Sequence, residues 1–396
     1  MPDNRLSRFI LLGSLELRNW KRLGPGSNEI QCHTKTKSGF CPECGCETSR
    51  IYDHREITIK DSPIRGKRIV LKLRKKRFQC RECKKVFSEN IEGIKKYSRV
   101  TERLKRSVLW ACENFQDLKK VEKAFSVSTG FVYSAFYEML ELKRRNNLYP
   151  WPKVIGIDEH SFQKQRRDQI PFVSVVVDHK NKRIFEVVDS KSKHRLSESL
   201  ASIPGRENVQ WVTCDLSDSY KSWIQEFFPN AKIVADKFHC LRLLNGAVIK
   251  ERSRLEGNKW NQKIRRLLLC NAHELDCFDK SDLWNYLAQP GHERLKALYI
   301  AKEKLYTLFR TRGVNKARWA LHRMIEQFKA SELKEIKRLG KTLWRWSKEI
   351  LNYFATRYTN ARVEGFNGKA KLVKKLAYGF RSFKNYRLRL IGAGLH

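Results

Sequence analysis

Three apolar runs between residues 150 and 245 each lead into an aspartate, and this repeated pattern constrains the fold more than any other feature. The runs are "KVIGIDEH" around Asp158, "VQWVTCD" ending at Asp215 and "AKIVADKFH" around Asp236. Two more β-rich runs, "IPFVSVVVDH" and "RIFEVVDSK", follow the first and are able to pair with it as a meander. Apolar residues at helical spacing follow Asp215. We therefore expect a mixed α/β core with acids clustered at one edge of its sheet.

These aspartates have a chemical interpretation. A carboxylate at the end of a central apolar strand is unfavourable unless something binds it. An aspartate after a strand is often a turn or helix-cap residue, but three in one α/β segment favour a shared role. Hard carboxylate oxygens suit Mg²⁺ or Mn²⁺. Glu159 directly follows Asp158 in a predicted strand and points to the opposite face, so we do not expect it among the ligands.

The charge of the chain indicates its partner. It has 82 Lys and Arg against 42 Asp and Glu, a net charge of +40, with 41% hydrophobic residues and ten Trp. This composition is typical of a folded protein that binds a polyanion, and nucleic acid is the leading candidate. The chain has no apolar run of roughly 18 to 20 residues and no secretory-signal pattern. We expect no membrane partner and a cytoplasmic, nucleoid-associated protein.

Two Cys-x2-Cys pairs predict a metal site near the N-terminus. Two residues between thiolates let a turn aim both sulfurs at one ion, so the pairs "CPEC" and "CREC" predict a structural zinc. An odd total of 11 Cys argues against a disulfide framework. Two alternatives stay open: the cysteines are unpaired buried thiols without a metal, or other residues replace some of them as zinc ligands. The predicted zinc ligands are Cys41, Cys44, Cys80 and Cys83. The possible substitutes are Cys32, His33, Cys46 and His54.

The spacing between the pairs exceeds that of an ordinary zinc finger, so a zinc ribbon with a β insertion is expected. Part of this insertion, "IRGKRIVLKLRKKRFQC", carries eight Lys and Arg and no acid. Its partial alternation would place cations along a phosphate backbone.

The segment "DLKKVEKAFSVSTGFVYSAFYEML" predicts two helices, one around Leu118 to Phe125 and a second from Thr129, separated by the turn "SVS". This order suits a helix-turn-helix whose second helix enters a major groove. An ordinary helical hairpin, with Phe131, Tyr133 and Phe136 in its core, stays open.

Four motifs carry a resemblance to a known family. In order, "GIDEH", "TCDLSDSY", "ADKFH" and "ARVEGFNGKAK" resemble the catalytic core of DDE transposases with an RNase H-like fold, in particular insertion-sequence transposases of the ISL3 type. The resemblance covers nearly the whole chain. It implies that Asp158, Asp215 and Glu364 are the three catalytic acids. Asp236 and His239 resemble the Asp or Cys plus His pair that related transposases carry.

The resemblance implies a transposase whose partner is double-stranded DNA. It would bind the terminal inverted repeats, cleave there and join the freed 3′-hydroxyl to target DNA, as a homodimer or larger synaptic complex. Two Mg²⁺ or Mn²⁺ ions would neutralise the attacking and leaving oxygens. Asp158 would bridge them, and Asp215 and Glu364 would each hold one. Whether Asp236 replaces Asp215 as the second metal ligand stays open. The role of His239 also stays open: it either orients a water or contacts the scissile phosphate, or it only forms a hydrogen bond inside the core.

Glu364 is the one acid among nine Lys and Arg from Ala361 onward. A metal between this carboxylate and the phosphates would explain an acid in a cationic tail, and Asn367, one turn along the same helix face, would be its neighbour. The tail cations expected to contact phosphates are Lys369, Lys371, Lys374, Lys375 and Arg381.

The long interval from Asp215 to Glu364 implies a helical domain inserted before the final helix of the core. The expected fold class is multidomain α/β plus α. The expected domains are a zinc region 1–95, a helix-turn-helix 96–148, a first core part 149–245, a helical insertion 246–348 and a final core part 349–396. The insertion holds several Trp, expected mostly as core anchors, with one stacking on a displaced base. They are Trp260, Trp284, Trp319, Trp344 and Trp346.

Two rival functions stay open. An RNase H-like nuclease or resolvase would cut DNA without joining it. A zinc and helix-turn-helix regulator would bind DNA and carry inert acids.

Overall fold

The computed structural model describes residues 11–115, 117–146, 148–162, 172–257 and 262–393, so Trp260 lies outside the described residues. The chain forms two compact units. The first comprises Met1–Lys143 with Lys375–Gly379, and the second comprises Arg144–Lys374 with Phe380–His396. None of the helices in the described ranges is long and apolar enough to cross a membrane.

A five-stranded sheet organises the first unit. Its order is β1-β2-β6-β5, with β7 also paired to β6; β2 and β6 are parallel and the other pairs antiparallel. The predicted basic strand is confirmed as β6, in which Ile69, Leu71 and Leu73 are buried and Lys72 is exposed. The strands are β1 Leu15–Gly24, β2 Ser27–Thr34, β3 Gly39–Phe40, β4 Glu47–Thr48, β5 Ile51–Ile64, β6 Lys67–Gln79 and β7 Val86–Ser88.

Three helices complete the first unit: α1 Glu102–Phe115, α2 Leu118–Phe125 and α3 Thr129–Asn146. Asp117 caps α2 by accepting from two backbone N–H groups, and Ser126 ends it in the left-handed region at φ 52°. The two predicted helices and their turn are therefore confirmed. Of the aromatic residues that the hairpin alternative places in its core, Phe136 is buried, whereas Tyr133 is exposed.

A second five-stranded sheet forms the centre of the second unit. Its order is β10-β9-β8-β11-β12; β8, β9 and β10 form the predicted antiparallel meander, and β11 is parallel to both β8 and β12. The strands are β8 Val154–Ser161, β9 Phe172–Asp178, β10 Arg183–Val188, β11 Trp211–Cys214 and β12 Lys232–Ala235.

Helices cover both faces of this sheet. Ile155, Ile157 and Val212 face an apolar core that continues into the helices after residue 245, whereas Val173 and Val175 face a second core. The helices before residue 260 are α4 Lys193–Leu200, α5 Asp218–Phe227, α6 Lys237–Arg242 and α7 Asn245–Glu256. Those after it are α8 Gln262–Leu269, α9 Cys277–Leu287, α10 Glu293–Arg310, α11 Val314–Lys329, α12 Lys334–Arg345, α13 Ser347–Thr356, α14 Ala361–Leu376 and α15 Phe383–Ala393.

The expectation that the Trp residues of the helical region are mostly core anchors is wrong for three of the four in the described ranges. Trp346 is fully buried, but the exposed fractions of Trp284, Trp319 and Trp344 are 44%, 66% and 62%.

Candidate active site

One face of β8 carries polar residues toward α14. Gly156, Asp158 and His160 share this face because successive strand residues alternate. A Cβ on Gly156 would lie 2.5 Å from Cγ2 of Val363. Only glycine therefore lets α14 approach the strand this closely. This close approach brings α14, whose first turn contains Glu364, next to the carboxylate of Asp158.

Asp158 lies within β8 and not at its end, which corrects the sequence-based expectation. The strand continues to Ser161 because its antiparallel pairing with β9 extends that far, whereas the parallel pairing with β11 stops at Gly156. Asp158 Oδ2 accepts from Asn367 Nδ2 at 2.9 Å, and Oδ1 accepts from the N–H of Glu159 at 2.8 Å. Burial and then the negative charge of Asp215 raise the pKa of Asp158 to about 6.

A buried relay of side chains fixes the orientation of Asn367. Its Oδ1 lies 3.2 Å from His160 Nδ1, and His160 Nε2 bonds to the Tyr386 hydroxyl. Burial lowers the pKa of His160 to about 4, so the ring is neutral near pH 7. His160 Nδ1–H then donates to Asn367 while Nε2 accepts from Tyr386. This tautomer turns the amide N–H of Asn367 toward Asp158.

Asp215 and Asp236 follow the parallel strands β11 and β12, so both lie at the carboxyl edge of the sheet. The pKa of Asp215 is raised by burial, although His239 opposes the shift. Asp215 Oδ1 is buried and has no hydrogen-bond partner among the described residues. A buried carboxylate oxygen without a donor is a suitable ligand for a cation.

Asp236 is held by the protein at both oxygens. Oδ1 accepts from the N–H of Asn360 at 3.2 Å, and Oδ2 accepts from His239 through its N–H at 3.2 Å and Nδ1 at 2.9 Å. The side-chain hydrogen bond with Asp236 is the largest of the influences that raise the pKa of His239. It also leaves Nε2 of His239 3.7 Å from Asp215 Oδ2. Asp236 therefore positions His239 against Asp215.

Glu364 lies in the first turn of α14, with half of its side chain exposed. Its Oε1 accepts from Arg242 Nη2 at 2.9 Å. Arg242 follows His239 by three residues in α6, so the two side chains lie on one helix face. The structure thus connects Glu364 and Asp215 to the same short helix.

The carboxylate oxygens of Asp158, Asp215 and Glu364 do not form as close a group as the cysteine sulfurs of the first unit. Within the described ranges, the one group of His, Cys, Asp or Glu ligand atoms all within 4.8 Å of one another is Cys41, Cys44, Cys80 and Cys83. In that group, Sγ of Cys41 lies 3.4 Å from Cys83, and Sγ of Cys44 lies 3.5 Å from Cys80. The predicted cysteine cluster is therefore confirmed, without the proposed substitutes.

The four sulfurs fit a structural zinc. Tetrahedral Zn–S bonds of about 2.3 Å place sulfurs roughly 3.8 Å apart, close to the observed separations. The N–H of Cys44 lowers the pKa of the Cys41 thiol to about 7. The N–H of Lys85 favours the Cys83 thiolate, but the neighbouring Cys41 sulfur opposes it, and the pKa of Cys83 is raised to about 12. Four thiols this close ionise together only around a cation.

A family model described as "DDE_Tnp_ISL3: Transposase" matches residues 155–390, more than half of the chain. The chain belongs to the ISL3 family of DDE transposases. A second model, described as the zinc-finger of transposase IS204/IS1001/IS1096/IS1165, matches residues 37–83 of the transposase and includes all four clustered cysteines.

Curated relatives agree with this assignment. The transposase is 23% identical over 367 residues to the transposase for insertion sequence element IS1001 of Bordetella parapertussis, covering 89% of this chain and 88% of that protein. It is 25% identical over 260 residues to the transposase for insertion sequence element IS1557 of Mycobacterium tuberculosis, covering 58% of this chain and 57% of that protein.

Sequence reasoning missed several residues of this site in the transposase. Arg242, His160, Asn360 and Tyr386 each contact a predicted site residue or its relay. The first of these was detectable from its helical spacing to His239; the others depend on contacts across the chain. Asn367, predicted as a neighbour of Glu364 in the site, lies on the same helix and donates to Asp158.

The predicted DNA-contacting cations of the transposase differ in their surroundings. Lys374 Nζ donates to the carbonyl groups of Ser161 at 2.8 Å and Phe162 at 3.2 Å, and burial lowers its pKa. The other four are exposed: Lys369, Lys371, Lys375 and Arg381.

Proposed function

We propose that this transposase cleaves the ends of its element and joins them to target DNA with two Mg²⁺ ions held by Asp158, Asp215 and Glu364. The observation that carries the proposal is the attachment of α14 to β8. It sets Asn367 on Asp158 and connects Glu364 through Arg242 to the helix of His239. These two contacts support a shared site for acids that are separated by more than two hundred residues in sequence.

We also propose that this sheet is an RNase H-like core. Three antiparallel strands followed by two parallel ones, with helices on both faces, support the assignment. Asp215 follows β11 at the carboxyl edge of the sheet, where ligands of open α/β sheets bind, and Asp158 lies two residues past the last pair of β8 with β11.

The residues of the site fit divalent metal ions. Asp215 Oδ1 lacks a donor among the described residues, and burial with a neighbouring carboxylate raises the pKa of Asp158 to about 6. Both observations indicate negative charge that the protein itself does not compensate. Mg²⁺ or Mn²⁺, when bound, would activate the attacking oxygen and stabilise the leaving oxygen.

Asp215 is favoured over Asp236 as the second ligand. Asp236 has 3% of its side chain exposed, and its two oxygens already accept three hydrogen bonds. Its role is to fix the ring of His239, whose Nε2 faces the acids and donates to a phosphate oxygen or a water. Arg242 would exchange Glu364 for a phosphate when DNA enters, which frees the Glu364 carboxylate for metal.

DNA recognition is assigned to the first unit. We propose that the helix pair α2 and α3 reads the terminal inverted repeats, while the zinc site holds the ribbon and the basic hairpin β5–β6 follows the phosphates. The exposed cations of α14 and the following turn would hold DNA beside the acids. Pairing of two ends suggests at least a dimer, acting on DNA in the bacterial cytoplasm.

A strand-transfer assay tests the function. Incubating the transposase with its labelled element ends, a target plasmid and Mg²⁺ should produce both cleaved ends and covalently joined products. Cleavage without any joined product would favour the nuclease or resolvase. End binding without cleavage above that of the triple variant Asp158→Ala, Asp215→Ala and Glu364→Ala would favour the regulator.

The relay behind Asn367 makes a separate prediction. Tyr386→Phe removes the hydroxyl that donates to His160 Nε2 and leaves this buried nitrogen without a donor. The His160 ring is then held less firmly, and it positions Asn367 less firmly against Asp158. Loss of such a supporting contact typically costs about 10- to 100-fold in metal affinity or activity. We expect cleavage by Tyr386→Phe to need more Mg²⁺ for half-maximal rate and to recover at high Mg²⁺.

The control for this relay is Tyr358→Phe, a tyrosine of the second unit that stacks on His179. It should leave the Mg²⁺ requirement unchanged. An unchanged requirement in Tyr386→Phe, measured beside an unchanged melting temperature, would contradict the relay.

A further inference from the structure

A groove lies between helices of the second unit, away from the residues described above. It has a volume of about 640 Å³ and runs between one face of α10, from Tyr299 to Thr311, and the facing side of α11. Trp284 of α9 closes one side. The lining stretch of α10 is roughly 17 Å long at 1.5 Å per residue. This volume lies in the range typical of ligand sites.

Two exposed indoles mark the ends of this groove. Trp284 packs edge-on against Tyr299, near the start of α10, with ring centroids 6.2 Å apart. Trp319 lies near the start of α11, and the short connection after α10 makes the two helices antiparallel, so Trp319 faces the end of α10. The exposed fractions of the two indoles, 44% and 66%, leave flat aromatic faces open to solvent.

Positive charge accompanies both indoles. The Arg323 guanidinium lies 5.3 Å from the ring centroid of Trp319, and Lys296 Nζ lies 5.9 Å from that of Trp284. Lys304 lines the groove between them.

The acid in the lining, Glu303, is neutralised from within the protein. Its carboxylate pairs with buried Lys302 at 2.8 Å and accepts from the N–H of Ala272 at 3.1 Å. The groove therefore presents cations and aromatic faces together.

This combination selects single-stranded nucleic acid. Aromatic side chains that stack on bases, beside cations that contact phosphates, are how proteins bind unpaired strands. In a duplex the base faces are covered by neighbouring bases and would leave both indoles unused. An acidic peptide would satisfy the cations but offers no matching faces for two separated indoles.

One wall of the groove belongs to a helix that also contacts the candidate active site. Helix α10 packs against α6, which carries His239 and Arg242. We propose that the groove binds a short unpaired segment of DNA next to the cut end, with bases stacked on Trp284 and Trp319. The inference rests on the proposed function, because cleavage and separation of an end supply such a segment.

The test uses the full-length transposase in Mg²⁺-free buffer, so that binding is measured without cleavage. The probes are a blunt element-end duplex and the same duplex with a short single-stranded 3′ extension. Fluorescence anisotropy should show tighter binding of the extended probe. Stacking energies predict that Trp319→Ala and Trp284→Ala each weaken binding of this probe about tenfold or more. Trp319→Phe should retain most of the affinity, and blunt-duplex binding should not change.

Trp344→Ala is the matched control. Trp344 is 62% exposed and has Lys329 Nζ 5.0 Å from its ring centroid, yet it does not line the groove. Its replacement should leave both affinities unchanged. An equal loss in Trp344→Ala would overturn the proposal, as would displacement of the extended probe by polyglutamate as effectively as by an oligonucleotide of equal charge.

The outcomes separate this inference from the proposed function. A transposase that cuts its ends but binds both probes equally would refute the groove and keep the function. A transposase that binds neither probe would refute both.

Discussion

Asp158→Asn is expected to reduce cleavage of cognate ends about a thousandfold or more, because it removes the carboxylate proposed to contact both metal ions. Metal ions held there would contribute several kcal/mol to transition-state stabilisation, and about 4 kcal/mol corresponds to a thousandfold in rate. Asparagine has nearly the same shape and its oxygen still accepts from Asn367, so the fold should survive. Asp215→Asn and Glu364→Gln should cause losses of the same order. Gel-based cleavage assays at saturating Mg²⁺ measure the effect.

The neighbouring Glu159→Gln provides a matched control. Glu159 is the next residue of β8 and points to the other face, where its carboxylate lies 3.5 Å from Lys191 Nζ. Its replacement should change cleavage by less than about threefold, as expected for a surface ion pair worth less than about 1 kcal/mol. End binding should be equal in all variants. Comparable cleavage by Asp158→Asn and Glu159→Gln would remove Asp158 from the proposed site.

Removal of zinc is expected to unfold the ribbon of the first unit. Structural zinc supplies about 10 kcal/mol or more of binding energy that is also folding energy. Cys41→Ser removes one of four sulfurs within 4.8 Å of one another and leaves an incomplete ligand set. We expect loss of bound zinc, loss of the thermal transition in which the first unit unfolds, and at least tenfold weaker binding of element ends. Elemental analysis and calorimetry measure these changes.

Cys46→Ser is the control for Cys41→Ser and tests whether loss of a nearby cysteine outside the four-sulfur group also removes zinc. Cys46 lies two residues after Cys44 but outside the four-sulfur group, and its backbone carbonyl, which accepts from the N–H of Cys41 at 2.9 Å, is untouched by the change. Zinc content and melting should match the unmodified protein. Full zinc in Cys41→Ser would show that the four thiolates do not form the site.

The elements of the core were predictable because their patterns are local. Strands β8 to β12 are short apolar runs of β-branched residues, and α2 begins at a capping aspartate. The position of Asp158 was not predictable in the same way. Its strand extends past the aspartate because β9 continues to pair with it, and strand pairing joins segments that no local pattern connects.

Side-chain exposure in the helical region was predicted incorrectly, although helical spacing carries part of the answer. Trp344 and Trp346 are two residues apart, and one is exposed while the other is fully buried. Ile336, Leu339 and Leu343 are buried at helical spacing in α12, and Trp346 continues this apolar face whereas Trp344 does not. The aromatic groove, by contrast, depends on how α10 and α11 pack against each other.

The sequence by itself determined which groups are available for chemistry: two thiolate pairs at zinc spacing, aspartates after apolar strands, and one glutamate in a cationic helix. These follow from residue types and short spacings, which set ligand softness and local geometry. The tertiary structure decided how they are arranged. It brings Asn367 into hydrogen-bonding contact with Asp158, engages both oxygens of Asp236 with Asn360 and His239, and pairs Arg242 with Glu364. The physical reason is that the contacts of Asn367, Asn360 and Arg242 with these acids each join residues more than a hundred positions apart, which only the packed fold brings together.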